Sequence, residues 1–370
     1  MSQMLFFMTP GNGLGTWIQT GTIGREMEIY RKYLKIGWNV TIASFDRNDI
    51  SRCEGSDFGL VFAPHPRLLF LLPLALKRAV RHADILKTNQ SAMAWWYVWV
   101  ARLHSKPILL RCGYVSGEAI ETTQGRTLQT RLYQFREGWA FRNATFCLVP
   151  TESLRRWVID RYGVNKERID ILPNFIDSSV FKSLDKIDKA SRSVVSVGNF
   201  NRVKNFELLI SACAKSGVKH LTLFGDGPEK HRLQQLAGDL GLGLNLPGRV
   251  SNEHLPAMLQ KHAIYVQSSI REGHPKALLE AMACGMPCVG TRVPGTQDLI
   301  EHGKTGLLCE VNIDSLSQCI LQLFADSAFS SALGENAAYR IKQQFSIENV
   351  FKKEYGIVSR LVREAKQQYK

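Results

Sequence analysis

The feature that most constrains this chain is a short grammar used twice: an apolar run, a glycine-bearing loop, then a helix with apolar residues three and four apart. Met4–Met8 is such a run and stops at Thr9-Pro10-Gly11. A helical pattern follows from Gly24, with Met27, Tyr30, Tyr33 and Leu34 on one face, and it ends with Lys35 in the last turn and Gly37 just after. Asn39–Ser44 is the next strand, which completes a βαβ unit, and Pro107–Leu110 and Thr145–Val149 extend the same parallel series. The series then restarts: strand Ser193–Val197, loop Gly198–Asn205 and helix Phe206–Ala214; strand Leu221–Phe224, loop Gly225–Pro228 and helix Glu229–Leu240; then strands Ile264–Gln267 and Pro287–Gly290. Two separate series predict an α/β protein with two Rossmann-like, doubly wound domains. A chain of 370 residues is also longer than one core usually organises. The polar stretch Ser178–Ser193 reads as the linker, giving domains 1–184 and 185–349, with an amphipathic helix over 350–370.

Charge narrows the partners. Lys and Arg number 47 against 33 Asp and Glu, a net of +14, and the excess leans to the first part, where 24 basic residues face 15 acidic ones through Leu184. Such a chain favours phosphates, acidic lipid head groups or nucleic acid, and no nucleic-acid recognition motif accompanies the charge. Eight scattered cysteines make no disulfide framework; Cys284 and Cys288 are the one close pair, and no zinc-ligand spacing surrounds them. They read as reduced or buried thiols of a cytoplasmic protein. The nine histidines show no paired metal spacing and no Asp-x-Asp occurs, so neither metal nor cofactor is expected. Met4–Met8 lacks the basic leader of a secretory signal, and Leu68–Leu76 and Ala92–Ala101 are each about half the length that spans a bilayer.

The most informative stretch runs from Ser268 to Pro287, with Glu272, Gly273, His274, Pro275, Lys276, Ala277 and Glu280 along it. It follows a strand and opens a helix, with Pro275 at the first helical position. The amides of Lys276 and Ala277 are then expected to point out at the helix start, which makes it an anion site. Glu272 just before it and Glu280 more than a turn inside bracket that site, so each can grip hydroxyls on one side of a diphosphate. A solvated helix face is the plainer alternative, but Glu280 sits in Ala-Leu-Leu-Glu-Ala-Met-Ala, where an unpartnered buried carboxylate costs several kcal/mol.

This arrangement resembles the Glu-x7-Glu signature of retaining glycosyltransferase family 4, which has the GT-B fold. The likeness extends to Leu148–Ser153, to Ile171-Leu-Pro-Asn174-Phe-Ile-Asp177 with Phe181, to Val197–Ile210, to Phe224–Pro228, and to Gly295 with Leu307. It implies two facing domains with a cleft between them: an N-terminal domain that binds the acceptor and a C-terminal domain that binds a nucleotide-diphosphate sugar, joined by a last helix that crosses back. It implies further that Lys204, assisted by Arg202, neutralises the diphosphate; that Glu272 holds the donor sugar and Glu280 the ribose; and that Gly198 and Asn199 lie in the phosphate loop. Arg249 and Val250 would form the base-binding edge, Gly273, His274, Lys276 and Ala277 the donor-binding loop and helix start, and Gly295 and Thr296 the loop flanking the phosphates. Two surface cations after a strand are the plainer reading of Lys204 and Arg202, against which stands their place at a strand's C-terminal end.

In the first half, Gly11-Asn-Gly13-Leu-Gly15 has the wrong spacing for a dinucleotide fingerprint, and Asp46 after the second strand keeps a nicotinamide reading open. In the family this loop faces acceptor and donor phosphates, which makes Gly13 and Gly15 points of close backbone approach, with a simple tight turn as the alternative. One departure stands out: where many relatives carry a histidine, this chain reads Leu110-Arg-Cys-Gly-Tyr114, so Arg111 or Tyr114 is left to fill the space.

The expected activity is metal-independent transfer of a sugar, with retention, to a hydroxyl of an envelope glycan or lipid-linked oligosaccharide. A sugar-nucleotide epimerase and a non-catalytic nucleotide- or glycan-binding protein are the competing classes. The basic bias has its own focus: 64–87, with Arg67, Lys77, Arg78, Arg81 and Lys87 about an apolar run, and the aromatic Trp95, Trp96, Tyr97 and Trp99. These point to an anionic membrane surface on the cytoplasmic side, with a buried helix and its solvated flank as the alternative.

Overall fold

The computed structural model describes residues 1–46, 57–63, 66–184, 190 and 192–368. The chain divides into two compact units, Met1–Pro173 with the residues from Phe351 onward, and Asn174–Val350.

The first unit contains β1 (Gln3–Phe7), α1 (Leu14–Gln19), α2 (Ile23–Lys35), β2 (Asn39–Ser44), β3 (Gly59–Phe62), α3 (Leu72–Ala75), α4 (Lys77–His82), β4 (Ile85–Thr88), α5 (Ala94–Leu103), β5 (Ile108–Arg111), α6 (Ser116–Gln124), α7 (Leu128–Asn143), β6 (Phe146–Val149), α8 (Glu152–Tyr162) and β7 (Ile169–Ile171). Its seven strands run in the order β3-β2-β1-β4-β5-β6-β7, every pair parallel. Alternation along β1 divides the core between the two faces of the sheet. Leu5 and Phe7 join Val98, Leu110 and Phe141 on one side. Phe6 packs against the tilted Tyr30 ring at 4.4 Å on the other, where Tyr33 meets Phe351 of the C-terminal helix Ile347–Gln368 at 5.0 Å. The expected α2 is found, with Gly37 in the left-handed region (φ 83°) just after it.

The second unit contains β8 (Ser193–Val197), a 3₁₀ turn (Arg202–Lys204), α9 (Phe206–Lys215), β9 (His220–Phe224), α10 (Lys230–Asp239), β10 (Gly243–Gly248), α11 (Leu255–Leu259), β11 (Ile264–Gln267), α12 (Lys276–Ala283), β12 (Cys288–Thr291), α13 (Pro294–Gln297), β13 (Leu307–Cys309), α14 (Ile313–Ala325) and α15 (Ser327–Gln344). The parallel order is β10-β9-β8-β11-β12-β13. The strand order reverses between β8 and β11, so the loops leaving these two strands meet at the switch point, where such sheets bind ligands.

The unit boundary falls at Pro173, ahead of the expected Leu184. Ile176 bonds both to Phe345 (2.8 Å) and to Ile347 (2.9 Å), and with Phe181 it packs against Met282 and Ile341 of the second core. Part of the expected linker, 185–189 and 191, lies outside the described residues, as do 64 and 65 of the basic stretch. The seven described cysteines are free thiols, six of them buried, and Cys53 lies outside the described residues. Among the described residues no helix is long and apolar enough to cross a membrane.

One expectation is corrected here. Lys87 does not belong to a basic surface: it is fully buried on β4, where its Nζ donates to Glu354 Oε1 of the C-terminal helix. Tyr33 donates its hydroxyl to the same oxygen at 3.2 Å, Arg111 Nε lies 3.6 Å from Glu354 Oε2, and Lys87 Nζ sits 4.6 Å from the centre of the Tyr30 ring. Burial pushes the Lys87 amine down to about 8 against the pull of Glu354. Burial alone would raise the Glu354 carboxyl, but Lys87 and Arg111 outweigh it and hold the group below the usual carboxylate range.

A lysine–glutamate pair at the switch point of the second sheet

The loop leaving β8 turns through Arg202–Lys204, and the Asn201 side chain caps that turn by accepting from the Lys204 amide at 3.1 Å. The loop leaving β11 is zipped to it: Ile270 N donates to Val203 O at 2.9 Å, and Ser268 Oγ donates to Lys204 O at 2.9 Å. This brings Lys204 Nζ to 2.6 Å from Glu272 Oε1, with the two side chains 21% and 11% exposed. The same oxygen accepts from Gln267 Nε2 (2.7 Å) and Ser269 Oγ (2.6 Å). Gln267 is in turn fixed through its carbonyl oxygen by the buried Tyr265 hydroxyl at 2.8 Å. Glu272 is therefore aimed by three donors, one at the end of β11 and one in each of the two loops, the arrangement that preorganises a charged group.

Two glycines permit this closeness. The stem of Lys204 lies against Gly198, 3.2 Å from where a Cβ would stand. A Cβ on Gly295, in the first turn of α13, would come within 2.4 Å of Gly273 O and 2.6 Å of Glu272 O. Gly198, Gly273 and Gly295 thus join Lys204 and Glu272 in one place. Asn199 is in the same β8 loop, and Thr296, next to Gly295, is fully buried.

Helix α12 begins at Lys276, one residue later than expected, with Pro275 as its extended cap (φ −69°, ψ 110°). The cap residue Pro275 makes no side-chain cap bond and no acid stands in the first turn, so the positive end of the backbone dipole at this helix start favours an anion. Lys276 and Ala277 are half-exposed there. Asn174 fastens the approach to this helix by donating to His274 O at 2.8 Å, while the His274 ring turns inward to within 5.6 Å of the Phe345 ring. Glu280, one turn inside, is 1% exposed and accepts from Asn252 Nδ2 at 3.1 Å. Asn252 lies just past the exposed Arg249 and half-buried Val250, which ties that edge to the carboxylate.

Arg202 is not brought to the pair. Its side chain is 87% exposed, with Nε 3.9 Å from Glu229 Oε1. Gly13 and Gly15 belong to the first unit, at the start of the six-residue α1, where Trp17 N bonds to Gly13 O at 3.1 Å. Of the two residues left to fill the space of the absent histidine, Arg111 is committed to Asn89 Oδ1 at 3.2 Å and to Glu354, and Tyr114 is 42% exposed. Among the described residues no group of three or more His, Cys, Asp or Glu converges so as to hold a metal ion. Gln267, Ser269 and Asn252 were missed by sequence reasoning; only their place at the end of β11 and beside the β10 loop could have flagged them.

The matches with known proteins follow the two units in order. Residues 27–180 match the family described as Glycosyltransferase Family 4, and residues 181–340 match Glycosyl transferases group 1. The chain is 32% identical over 198 residues to an N-acetyl-alpha-D-glucosaminyl L-malate synthase of Bacillus anthracis, covering 50% of this chain and 52% of that protein. It is 28% identical over 257 residues to the lipopolysaccharide core biosynthesis glycosyltransferase LpsE of Rhizobium meliloti, covering 68% and 75%. The matched stretch is thus about half the length of the first relative and three quarters of the second. Among solved structures, HepE of Anabaena in complex with UDP has a TM-score of 0.79 at 17% identity, over 97% of this chain and all of that one. Sucrose-phosphate synthase of Thermosynechococcus elongatus has a TM-score of 0.80 at 21% identity, over 98% and 100%. At these identities the structures speak for the fold, two Rossmann-like domains of the GT-B kind.

Proposed function

Because the chain belongs to the family 4 glycosyltransferases, we propose that it moves a sugar from a nucleotide-diphosphate donor to a hydroxyl of an envelope glycan or lipid-linked oligosaccharide, with retention and without a metal ion. The observation that carries this reading is the Lys204–Glu272 pair beside the uncapped start of α12, with Glu280 buried one turn further in. A diphosphate seated there meets the Lys204 ammonium and the α12 amides, which neutralise charge that grows as the nucleotide leaves. Groups fixed before the reaction act most strongly in the transition state. They take the place of a divalent ion. Glu272, already aimed by Gln267 and Ser269, receives hydroxyls of the transferred sugar, and Glu280 receives the ribose diol beside the Asn252 edge. The bound UDP of HepE and the role of LpsE in lipopolysaccharide core biosynthesis support a nucleotide-sugar donor and an envelope acceptor. The basic excess supports a peripheral place on the inner face of the cytoplasmic membrane.

The test is an assay of nucleotide release and sugar transfer from UDP- and GDP-sugars onto lipid-linked and oligosaccharide acceptors, in a chelator, with the anomeric configuration of the product read by NMR. Acceptor-dependent transfer with the donor's configuration is expected. An epimer formed from donor alone, strict dependence on a divalent ion, or an inverted product would overturn the corresponding part of the reading.

A further inference from the structure

The first half of helix α7 in the first unit turns its apolar residues outward, although the second half buries Ala140 and Phe141. Leu128, Leu132 and Phe135, at i, i+4 and i+7, are 74%, 52% and 69% exposed, whereas the polar Gln134 and Glu137 on the opposite side are buried. An outward apolar stripe of this kind has no reason to persist in water unless something covers it. It continues onto the neighbouring helices. The Arg136 guanidinium lies 5.4 Å over the Trp95 ring of α5, Trp95 stacks on Trp96 at 4.3 Å, and Trp96 meets the exposed Trp99 at 5.5 Å. At the end of α5, His104 Nε2 lies 3.3 Å from Pro73 O of α3, beside which Leu74 and Phe70 are 72% and 61% exposed. Charge on these helices has one sign at the surface: Lys77, Arg78 and Arg81 on α4, Arg102 on α5, and Arg131 and Arg136 on α7 are all exposed, and the one acid, Glu137, is buried.

We propose that this face, α3 to α5 with α7, is a docking surface for the head-group layer of an anionic bilayer. Apolar and tryptophan side chains with a cationic rim match that layer, where aromatic rings sit at the interface and basic residues meet anionic lipid. A second copy of the chain is a poorer occupant, because a twofold interface sets the same patch against itself and brings the arginines together. The structure also relocates the surface relative to the sequence reading: Leu72, Leu76 and Tyr97 are core residues, Lys87 is sealed inside, and α7 supplies the most exposed stripe. The proposal rests on the peripheral membrane place read above, to which it gives a surface, and its failure would leave the nucleotide-sugar reading untouched, since it uses other helices and needs no donor.

The test is flotation of the full chain, without nucleotide, on vesicles of phosphatidylcholine alone and of phosphatidylcholine with a quarter phosphatidylglycerol, at low and high salt. Each basic side chain near an anionic surface is worth roughly fivefold in partitioning, so binding at least ~10-fold tighter to the anionic vesicles is expected, weakening with salt. Leu132→Ser with Phe135→Ser, and separately Arg131→Glu with Arg136→Glu, change exposed positions. Each pair is expected to leave the unfolding temperature unchanged while lowering binding ~10-fold or more. Equal partitioning onto both vesicles, no partitioning onto either, or variants that bind like the parent would overturn it. So would a concentration-dependent dimer of the parent, in the absence of lipid, that the Leu132→Ser/Phe135→Ser pair abolishes.

Discussion

Each unit holds a lysine–glutamate pair, and the two are packed in opposite ways. In the first, Lys87 and Glu354 are both 0% exposed, and Tyr33 and Arg111 complete the carboxylate's surroundings. In the second, Lys204 and Glu272 retain 21% and 11% exposure and stand beside a helix start that no side chain caps. The first pair is closed on itself and fastens the C-terminal helix to the sheet. The second has hydrogen-bonding capacity left over at the switch point of a parallel sheet. The same two side chains thus serve as a rivet in one setting and stay open to solvent in the other, and what separates them is access, not chemistry.

Removing the sealed carboxylate is the most damaging change to either pair. Glu354→Gln leaves Lys87 and Arg111 in the interior without a counter-charge, which costs roughly 3–5 kcal/mol. The unfolding temperature is expected to fall by about 10 °C, read by calorimetry, whereas Glu272→Gln changes it little because a partly exposed pair contributes about 1 kcal/mol or less. The pH dependence has a defined sign. Glu354 titrates lower in the folded chain than in the unfolded one, so its contribution is present above the unfolded range near ~4.3 and is lost as the pH falls through the folded value. The parent is therefore expected to lose stability more steeply than Glu354→Gln in acid titrations below about pH 4.5.

The open pair should respond in rate. Lys204→Ala is expected to lower transfer by about 10²–10³ at saturating donor, with an unchanged unfolding temperature, since one preorganised charge-stabilising group is lost. Glu280→Ala is expected to act on donor affinity, raising KM by about 10–100-fold, the range for hydrogen bonds to a charged group. Gln267→Leu is the smallest change, lowering kcat by about 3–10-fold. Because Gln267 positions Glu272, its loss should also shift the pH profile of kcat, which a merely structural role would leave in place.

Both halves of the fold were legible because their strands are apolar runs ended by glycine-bearing loops. β4 escaped for a physical reason: Ile85-Leu-Lys-Thr88 is interrupted by a lysine that reads as surface, and its partner Glu354 lies far along the chain. The boundary moved to Pro173 because Ile176, just ahead of the polar stretch, and Phe181 within it are buried in the second core. In the site, Glu272 and Glu280 were readable from their spacing about the start of a helix, and Lys204 from the family resemblance of the loop after β8. Arg202 shared the motif but projects outward, and a sequence does not state which way a turn aims consecutive side chains. Gln267 and Asn252 were hidden because a neutral amide gives no signal until its partner is known.

Whether the second unit receives a nucleotide diphosphate between Lys204 and Glu280 is decided by thermal unfolding with UDP and with GDP. At a ligand concentration about 100 times Kd the linkage is worth about 2.7 kcal/mol. One of the two nucleotides is predicted to raise the parent's transition by several degrees, a shift abolished in Lys204→Ala and sharply reduced in Glu280→Ala. No shift with either nucleotide, or an equal shift in the parent and both variants, would contradict the account.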